Sequence, residues 1–203
     1  MSTEAAPERL SGVFAPVVTP FDRNMTANAE KLLVRCNWLL GQGVGLAVFG
    51  TNSEANSMSV DEKIELLDYL VEGGIATAHL MPGTGCAALT DSVRLTAHAA
   101  RLGCSGALML PPFYYKNVSD DGLYRSYAEI IEQVGNSSLR VYLYHIPQVA
   151  QIGLSTDLIE RLVKAYPETV VGIKDSSGDW NNAQAMHERQ WDDFRLFVGT
   201  ETL

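Results

Sequence analysis

Residues 156–178, TDLIERLVKAYPETVVGIKDSSG, contain in succession a helix pattern, a strand pattern and a polar cluster, which together indicate the architecture of the chain. Residues 156–165 place apolar side chains at helical spacing, which is typical of a helix that buries one face. Residues 170–173 form a short continuous apolar run, which indicates a strand covered on both faces of a parallel sheet. The polar cluster begins with Lys174, so we expect this lysine at the carboxyl end of that strand.

The same alternation of strand and helix patterns recurs along the whole chain. Strand-like apolar runs occupy residues 13–19, 45–49, 78–81, 106–110, 140–144, 170–173 and 196–198. Amphipathic helical patterns lie between them at residues 28–40, 60–72, 90–102, 122–133 and 156–165. The predicted helix boundaries are a capping box of Ser59 with Glu62, an N-cap at Ser155 or Thr156, and glycine ends at Gly103 and Gly135.

Strands that alternate with helices predict an α/β fold with a parallel sheet. We expect a (β/α)8 TIM barrel that is truncated after strand seven, because seven strand-like runs are present and the eighth is not. No linker or change of composition divides the sequence, so we expect one domain over residues 1–203. The alternative is an open, doubly wound sheet. Both folds build their ligand sites at the carboxyl ends of the strands.

Composition narrows the classes of function. The net charge of −9 leaves no basic stripe for nucleic-acid phosphates, so we expect small-molecule partners. Cys36, Cys86 and Cys104 are odd in number and widely spaced, which argues against a disulfide framework and a zinc site. Residues 1–9 are polar and acidic, unlike a signal peptide, and no apolar run is long enough to cross a membrane. We therefore expect a cytoplasmic protein that binds neither nucleic acid nor membranes, and we expect no metal or other cofactor.

Lys174 is the strongest candidate for a nucleophile. It is one of five lysines and the only one that directly follows a strand-like run. A lysine in such a place is partly removed from water, which frees its amine to attack a carbonyl group. The alternative is a structural lysine that extends to water or pairs with Asp175.

Two further features lie at neighbouring strand ends. Tyr144 ends the preceding strand, one βα unit before Lys174, so its hydroxyl can exchange a proton with the lysine amine or its adduct. The alternative is a core tyrosine whose hydroxyl is satisfied internally. The turn at residues 50–54 offers backbone N–H groups that can hold a carboxylate, although many strand–helix turns look similar and Glu54 can equally be structural.

Taken together, these motifs resemble the dihydrodipicolinate synthase and N-acetylneuraminate lyase superfamily, the class I pyruvate-dependent lyases. The resemblance extends over nearly the whole chain from Gly12 and depends on the order and spacing of the motifs. The motifs are residues 15–21, the turn before Glu54, residues 83–85, residues 113–115, residues 144–147 and residues 172–175. Family members end with an eighth strand and a helical C-terminal segment, so the resemblance implies that this sequence lacks its last βα unit.

The resemblance implies roles for particular residues. Lys174 corresponds to the lysine that forms a Schiff base with pyruvate, and Tyr144 to the tyrosine that relays protons during catalysis. Thr51 takes part in that relay and, with Asn52, occupies the turn that binds the pyruvate carboxylate. Gly199 corresponds to a backbone element beside the pyruvate.

The resemblance also implies an assembly. Tyr115 corresponds to a tyrosine that, in synthase members, reaches into a neighbouring subunit's site and joins the relay through the Thr51 position. The expected state is therefore a homodimer or homotetramer. The alternative is that the aromatic cluster at residues 113–115 packs on its own barrel rim.

The sequence departs from the family pattern in two places; Asn52 can still donate a hydrogen bond in the first, and only the second bears on the reaction. The turn reads Gly-Thr-Asn-Ser-Glu at residues 50–54, where the family often has Gly-Thr/Ser-Thr-Gly-Glu. Synthases also carry an arginine shortly after the motif that ends at Pro147, whereas residues 148–151 contain none. We therefore expect a Schiff-base lyase or aldolase that uses or releases pyruvate and acts on a 2-keto-3-deoxy acid.

Three alternative functions remain at this stage. They are 4-hydroxy-tetrahydrodipicolinate synthase of lysine biosynthesis, a non-catalytic descendant that binds keto acids, and a phosphate- or nucleotide-binding α/β protein. The sequence has neither a Walker lysine loop nor a G-x-G-x-x-G motif after a strand, which disfavours the last alternative. The retained Lys174, Tyr144 and Thr51 disfavour the non-catalytic binder, since a protein that only binds need not keep the nucleophile.

Overall fold

The computed structural model describes residues 9–200. Residues 1–8 and 201–203 lie outside the described part. The first of these ranges contains most of the N-terminal segment that we expect not to be a signal peptide. No helix within residues 9–200 is long and apolar enough to cross a membrane. The elements are β1 (Phe14–Pro16), α1 (Ala29–Gly41), β2 (Gly45–Ala47), α2 (Val60–Glu72), α3 (Leu89–Leu102), β3 (Ala107–Met109), α4 (Asp120–Val134), β4 (Val141–His145), α5 (Pro147–Ala150), α6 (Thr156–Ala165), β5 (Val170–Asp175), α7 (Trp180–Glu188) and β6 (Arg195–Val198).

The strands lie side by side in the order of the chain, and all pairs are parallel. β1 pairs with β2, and β3 to β6 form a continuous four-stranded sheet. Isolated bridges from Leu80 to Leu46 and from Gly83 to Leu108 connect the two sheets. Because the strand order never reverses, the doubly wound alternative is excluded, and the six strands of the described residues have the arrangement of an incomplete (β/α)8 barrel.

The segment that connects the two sheets differs in detail from the predicted third strand at residues 78–81. Thr77–His79 form a 3-10 turn, and the sheet contacts begin only at Leu80. The carbonyl oxygens of Thr77 and Ala78 accept hydrogen bonds from Ser105, which uses groups that a strand ladder would need. The prediction that the strand begins at residue 78 was therefore wrong.

The predicted helix boundaries are confirmed. Ser59 and Glu62 form both hydrogen bonds of a capping box at the start of α2. Ser155, the first of the two proposed N-caps, accepts a backbone hydrogen bond at the start of α6. Gly103 and Gly135 end α3 and α4 in the left-handed conformation. These local signals thus set the starts of α2 and α6 and the ends of α3 and α4.

The two faces of the sheet bury different side chains. In β4, Val141 and Leu143 pack against the surrounding helices, whereas Tyr142 and Tyr144 belong to the interior cluster. Phe197 contacts the rings of Phe14 and Tyr142 edge to face, with ring centroids 5.7 Å apart in each pair. The interior is therefore a packed core rather than a pore, as is usual in barrels of this kind.

Gly83 provides a test of how closely the connecting segment approaches β2. A Cβ atom at Gly83 would overlap the carbonyl oxygen of Phe49, whereas a Cβ atom at Gly50 meets nothing within 4 Å. We expect Gly83→Ala to lower the free energy of unfolding by about 1–3 kcal/mol, the usual cost of overpacking. Urea denaturation measures the change, and Gly50→Ala is the matched control. Equal stability of the two variants would contradict the close approach.

His145 at the end of β4 provides a pH-dependent test. Its buried imidazole Nδ1 accepts a hydrogen bond from the backbone N–H of Leu154 over 3.0 Å. Burial lowers the pKa of His145 below its ordinary value of 6.5, although the charge of Asp175 opposes that shift. The folded protein thus takes up this proton less readily than the unfolded chain, so acidification destabilises the fold.

We expect the free energy of unfolding to fall below about pH 6.5, with His145 contributing at most about 1.4 kcal/mol per pH unit. His145→Asn keeps an acceptor for Leu154 but removes the titrating group. Urea denaturation from pH 5 to pH 8 should therefore give a flatter profile for the variant than for the wild type. Identical profiles would show that His145 does not cause the loss of stability at acid pH.

Candidate active site

The carboxyl ends of β4 and β5 bring two of the predicted site residues together. Tyr144 and Lys174 are direct register partners across the two parallel strands. The Nζ atom of Lys174 lies 4.6 Å from the centroid of the Tyr144 ring, within the range of a cation–π contact. The adjacency expected from a separation of one βα unit is thus present.

Tyr144 also contacts the turn that follows β2. Its hydroxyl oxygen lies 3.3 Å from Oγ1 of Thr51, and either group can donate the hydrogen bond. Tyr144 is only 3% exposed, and Thr51 is half-buried. The tyrosine therefore connects the lysine to the turn through its ring on one side and its hydroxyl on the other.

The backbone of that turn is arranged to present N–H groups. Phe49 enters it in the left-handed conformation, with φ of 57°, which is unusual for a bulky residue. The N–H of Ser53 donates to the carbonyl of Gly50 and closes a 3-10 turn over Thr51–Ser53. A turn of this type uses none of its first N–H groups internally, which leaves those of Thr51 and Asn52 available to an anion.

Ser53 anchors the turn to β1. Its side chain is fully buried and donates a hydrogen bond to the carbonyl of Val17. The hydroxyl of Thr19 donates to the Ser53 carbonyl over 2.8 Å. The serine that departs from the usual family turn therefore has a defined structural partner in this protein.

A small recess lies beside these residues. Its walls include Thr51, Asn56, Gly83, Gly85 and Tyr144. The predicted binding residue Asn52 does not line this recess, and it is exposed. Asn56 does line it. This residue was not predicted, because its position depends on the backbone turn at residues 50–55.

Gly199 lies where the resemblance implies, next to the lysine. Its N–H donates to the carbonyl of Asp175 over 2.7 Å. A Cβ atom at this position would lie 3.0 Å from Cε of Lys174 and would overlap the Ser176 side chain. The absence of a side chain thus allows the backbone to run close to the lysine.

Asp175 does not provide the ion pair considered as an alternative for Lys174. Its buried carboxylate accepts hydrogen bonds from the N–H of Ser177 and from the side-chain amide of Asn182. These contacts hold the loop after β5 in place. Within residues 9–200, no group of three His, Cys, Asp or Glu side chains is placed to hold a metal ion.

Tyr115 is not brought to the other predicted site residues within the single chain. It is 75% exposed, and its ring contacts that of Tyr114 edge to face with centroids 5.2 Å apart. The neighbouring Lys116 donates to the carbonyl of Ala150 over 3.0 Å. Lys116 therefore anchors the loop to α5 and, unlike Lys174, does not lie against Tyr144.

The helix α5 contains most of the segment in which synthases carry an arginine and this sequence does not. Gln148 donates from its side chain to the carbonyl of Ser176, and Val149 is 56% exposed. The helix itself thus supplies no cationic side chain.

Comparisons with known proteins agree with this architecture. The 4-hydroxy-tetrahydrodipicolinate synthase of Desulforamulus reducens is 36% identical over 194 residues, covering 94% of this chain and 63% of the relative. The crystal structure of dihydrodipicolinate synthase from Agrobacterium tumefaciens superposes with a TM-score of 0.88 at 30% identity, covering 92% of this chain and 65% of that one. The chloride-inhibited dihydrodipicolinate synthase from Acinetobacter baumannii, solved with pyruvate, gives a TM-score of 0.83 at 28% identity over 93% of this chain and 63% of that one.

The chain spans slightly less than two thirds of the length of each of these relatives. Residues 9–203 match the profile of the dihydrodipicolinate synthetase family, which is nearly the whole of the sequence. The parallel strand order and the (β/α) layering agree with that match. The chain belongs to the dihydrodipicolinate synthetase family.

Proposed function

We propose that this protein is a class I pyruvate-dependent lyase in which Lys174 forms an imine with pyruvate or with a pyruvate-yielding substrate. The observation that carries the proposal is the chain of contacts from the Lys174 amine to the Tyr144 ring and from the Tyr144 hydroxyl to Thr51. These contacts support a nucleophilic role for Lys174, a proton-donor role for Tyr144 and a binding role for the turn after β2. The pyruvate-bound relative from Acinetobacter baumannii supports the choice of ligand.

Imine formation accounts for the residues in contact. The amine of Lys174 attacks the keto carbon, so a C–N bond forms and the keto oxygen leaves as water after receiving two protons. The Tyr144 hydroxyl supplies a proton to the departing oxygen and takes it back when the imine is hydrolysed. Thr51 accepts or returns that proton across the 3.3 Å contact.

The pyruvate carboxylate binds to the turn after β2. The N–H groups of Thr51 and Asn52 donate to it, and these fixed donors suit a carboxylate because they need no reorganisation. Because Gly199 has no side chain, it leaves room for the ligand beside Lys174. Asn52 therefore acts through its backbone, which agrees with the exposure of the residue.

We propose a 2-keto-3-deoxy acid as the substrate. The helix α5 presents Gln148 and Val149 where a cation would be needed for the carboxylate of aspartate semialdehyde. The rival is the lysine-biosynthesis reaction, which is favoured by the name of the relative from Desulforamulus reducens. The two reactions share the pyruvate imine and differ only in the partner aldehyde.

We also propose that Tyr115 serves a neighbouring subunit in a homodimer or homotetramer. Tyr114 and Tyr115 are 71% and 75% exposed, and two neighbouring aromatic rings are costly to leave in water. A subunit interface would bury them near the Thr51 turn of the partner.

The proposed function first predicts a covalent intermediate. Incubation with pyruvate and borohydride should add one reduced pyruvate to the protein, because borohydride reduces the imine to a stable amine. Peptide mapping by mass spectrometry should place it on Lys174. Lys174→Ala should abolish the adduct, and Lys116→Ala, the matched control, should retain it. An adduct on Lys116 would overturn the assignment.

The second prediction concerns proton transfer. Tyr144→Phe should lower kcat by about 10²–10⁴-fold, the usual contribution of a general acid–base group. Tyr142→Phe is the matched control, because Tyr142 lies in the same strand and interior cluster but its hydroxyl accepts a hydrogen bond from the Leu10 N–H. Steady-state kinetics of both variants gives the comparison. Equal losses of kcat in the two would show a packing effect and remove Tyr144 from the chemistry.

The third prediction concerns the second substrate. A pyruvate-coupled assay should show turnover of 2-keto-3-deoxy acids and little turnover of aspartate semialdehyde, because α5 offers no cation. Val149→Arg should improve KM for the semialdehyde if this part of α5 faces its carboxylate. Efficient use of the semialdehyde by the wild type would favour the lysine-biosynthesis alternative instead.

A further inference from the structure

A buried lysine lies against a cysteine that directly follows Gly85 in the chain. Lys63, in α2, is only 4% exposed, and its amine donates to Sγ of Cys86 over 3.8 Å. Among the salt bridges formed within residues 9–200, none involves Lys63. A buried amine therefore faces a thiol instead of a carboxylate.

Both side chains are presented by well-anchored backbone. The capping box of Ser59 and Glu62 fixes the first turn of α2, directly before Lys63. The N–H of Cys86 donates to Oγ of Ser92 over 2.8 Å, which holds it against the first turn of α3. The contact between amine and thiol is thus set by two helix starts rather than by a mobile loop.

Cys86 differs from the other two cysteines in its access to solvent. Cys36 is fully buried and Cys104 is 6% exposed, whereas Cys86 is half-buried. Burial raises the pKa of both Cys36 and Cys104 to about 12. An oxidant dissolved in water therefore meets the thiol of Cys86 first.

We propose that Cys86 and Lys63 form a reversible covalent cross-link, a sulfenamide, when the protein reacts with hydrogen peroxide. In the first step the sulfur attacks the peroxide, the O–O bond breaks, and the thiol becomes a sulfenic acid with release of water. In the second step the Lys63 amine attacks that sulfur, an S–N bond forms, and the S–O bond breaks with loss of a second water. The peroxide is reduced by two electrons, and the sulfur is oxidised by two.

The surroundings of the thiol set the conditions of the reaction. Burial raises the pKa of Cys86, as does the charge of Asp91, while the Lys63 ammonium opposes that rise. The thiolate is the reactive form, so the cross-link forms slowly at neutral pH and faster as the pH increases. The product ties α2 to the strand-end loop whose Gly83 and Gly85 line the candidate site recess.

The test uses the full chain at pH 8 with a small excess of hydrogen peroxide, followed by intact-mass and peptide mass spectrometry. The expected product has lost two hydrogen atoms, resists tryptic cleavage after Lys63, and yields a Lys63–Cys86 linked peptide. Dithiothreitol should restore the original mass. Lys63→Arg keeps the positive charge but should give only oxygen-adding oxidation of Cys86, and Lys31→Arg, at an exposed lysine, should cross-link like the wild type.

Three outcomes would overturn the proposal. One is oxygen addition at Cys86 in the wild type without any linked peptide. Another is loss of two hydrogens that maps to a disulfide between cysteines. The third is a linked peptide that persists in Lys63→Arg. Because every readout is a mass, the result does not depend on whether the proposed pyruvate chemistry is correct.

Discussion

The register between β4 and β5 is the constraint on which the candidate site depends. Parallel pairing makes Tyr144 and Lys174 direct neighbours, so a shift by one residue would turn one of them towards the helices. Alternate burial fixes that register, because Leu143 and Ile173 pack against the helices while Tyr144 belongs to the interior cluster. The free energy that stabilises the sheet thus also positions Lys174 beside Tyr144.

The other half of the site depends on backbone that the sheet holds in place. Phe49 keeps a left-handed conformation, and strain of this kind persists only where the surroundings over-determine it. The buried side chain of Ser53 secures the turn to β1, and Gly83 lets the next segment pass close to Phe49. Thr51 consequently meets the Tyr144 hydroxyl without any long-range ion pair at the site.

Much of the fold and part of the site could be predicted from sequence, since caps, helical spacing and apolar runs are local signals. Helix α7 was missed because only Ala183 and Met186 are buried along it, which leaves little periodic signal. The lining residue Asn56 was missed because its placement depends on the left-handed turn at Glu54, a non-local result of packing. Strand-end position sufficed to mark Lys174 as a candidate, whereas the role that we propose for Tyr115 depends on a second subunit.

We propose that Lys174 forms the covalent bond to pyruvate while the turn at Thr51 holds the carboxylate. The most direct measurement is a crystal structure of the full-length protein soaked with pyruvate. We expect continuous electron density from Nζ of Lys174 to the former keto carbon, with the carboxylate on the N–H groups of Thr51 and Asn52. Pyruvate bound without a bond to Lys174, or with its carboxylate turned away from that turn, would contradict it.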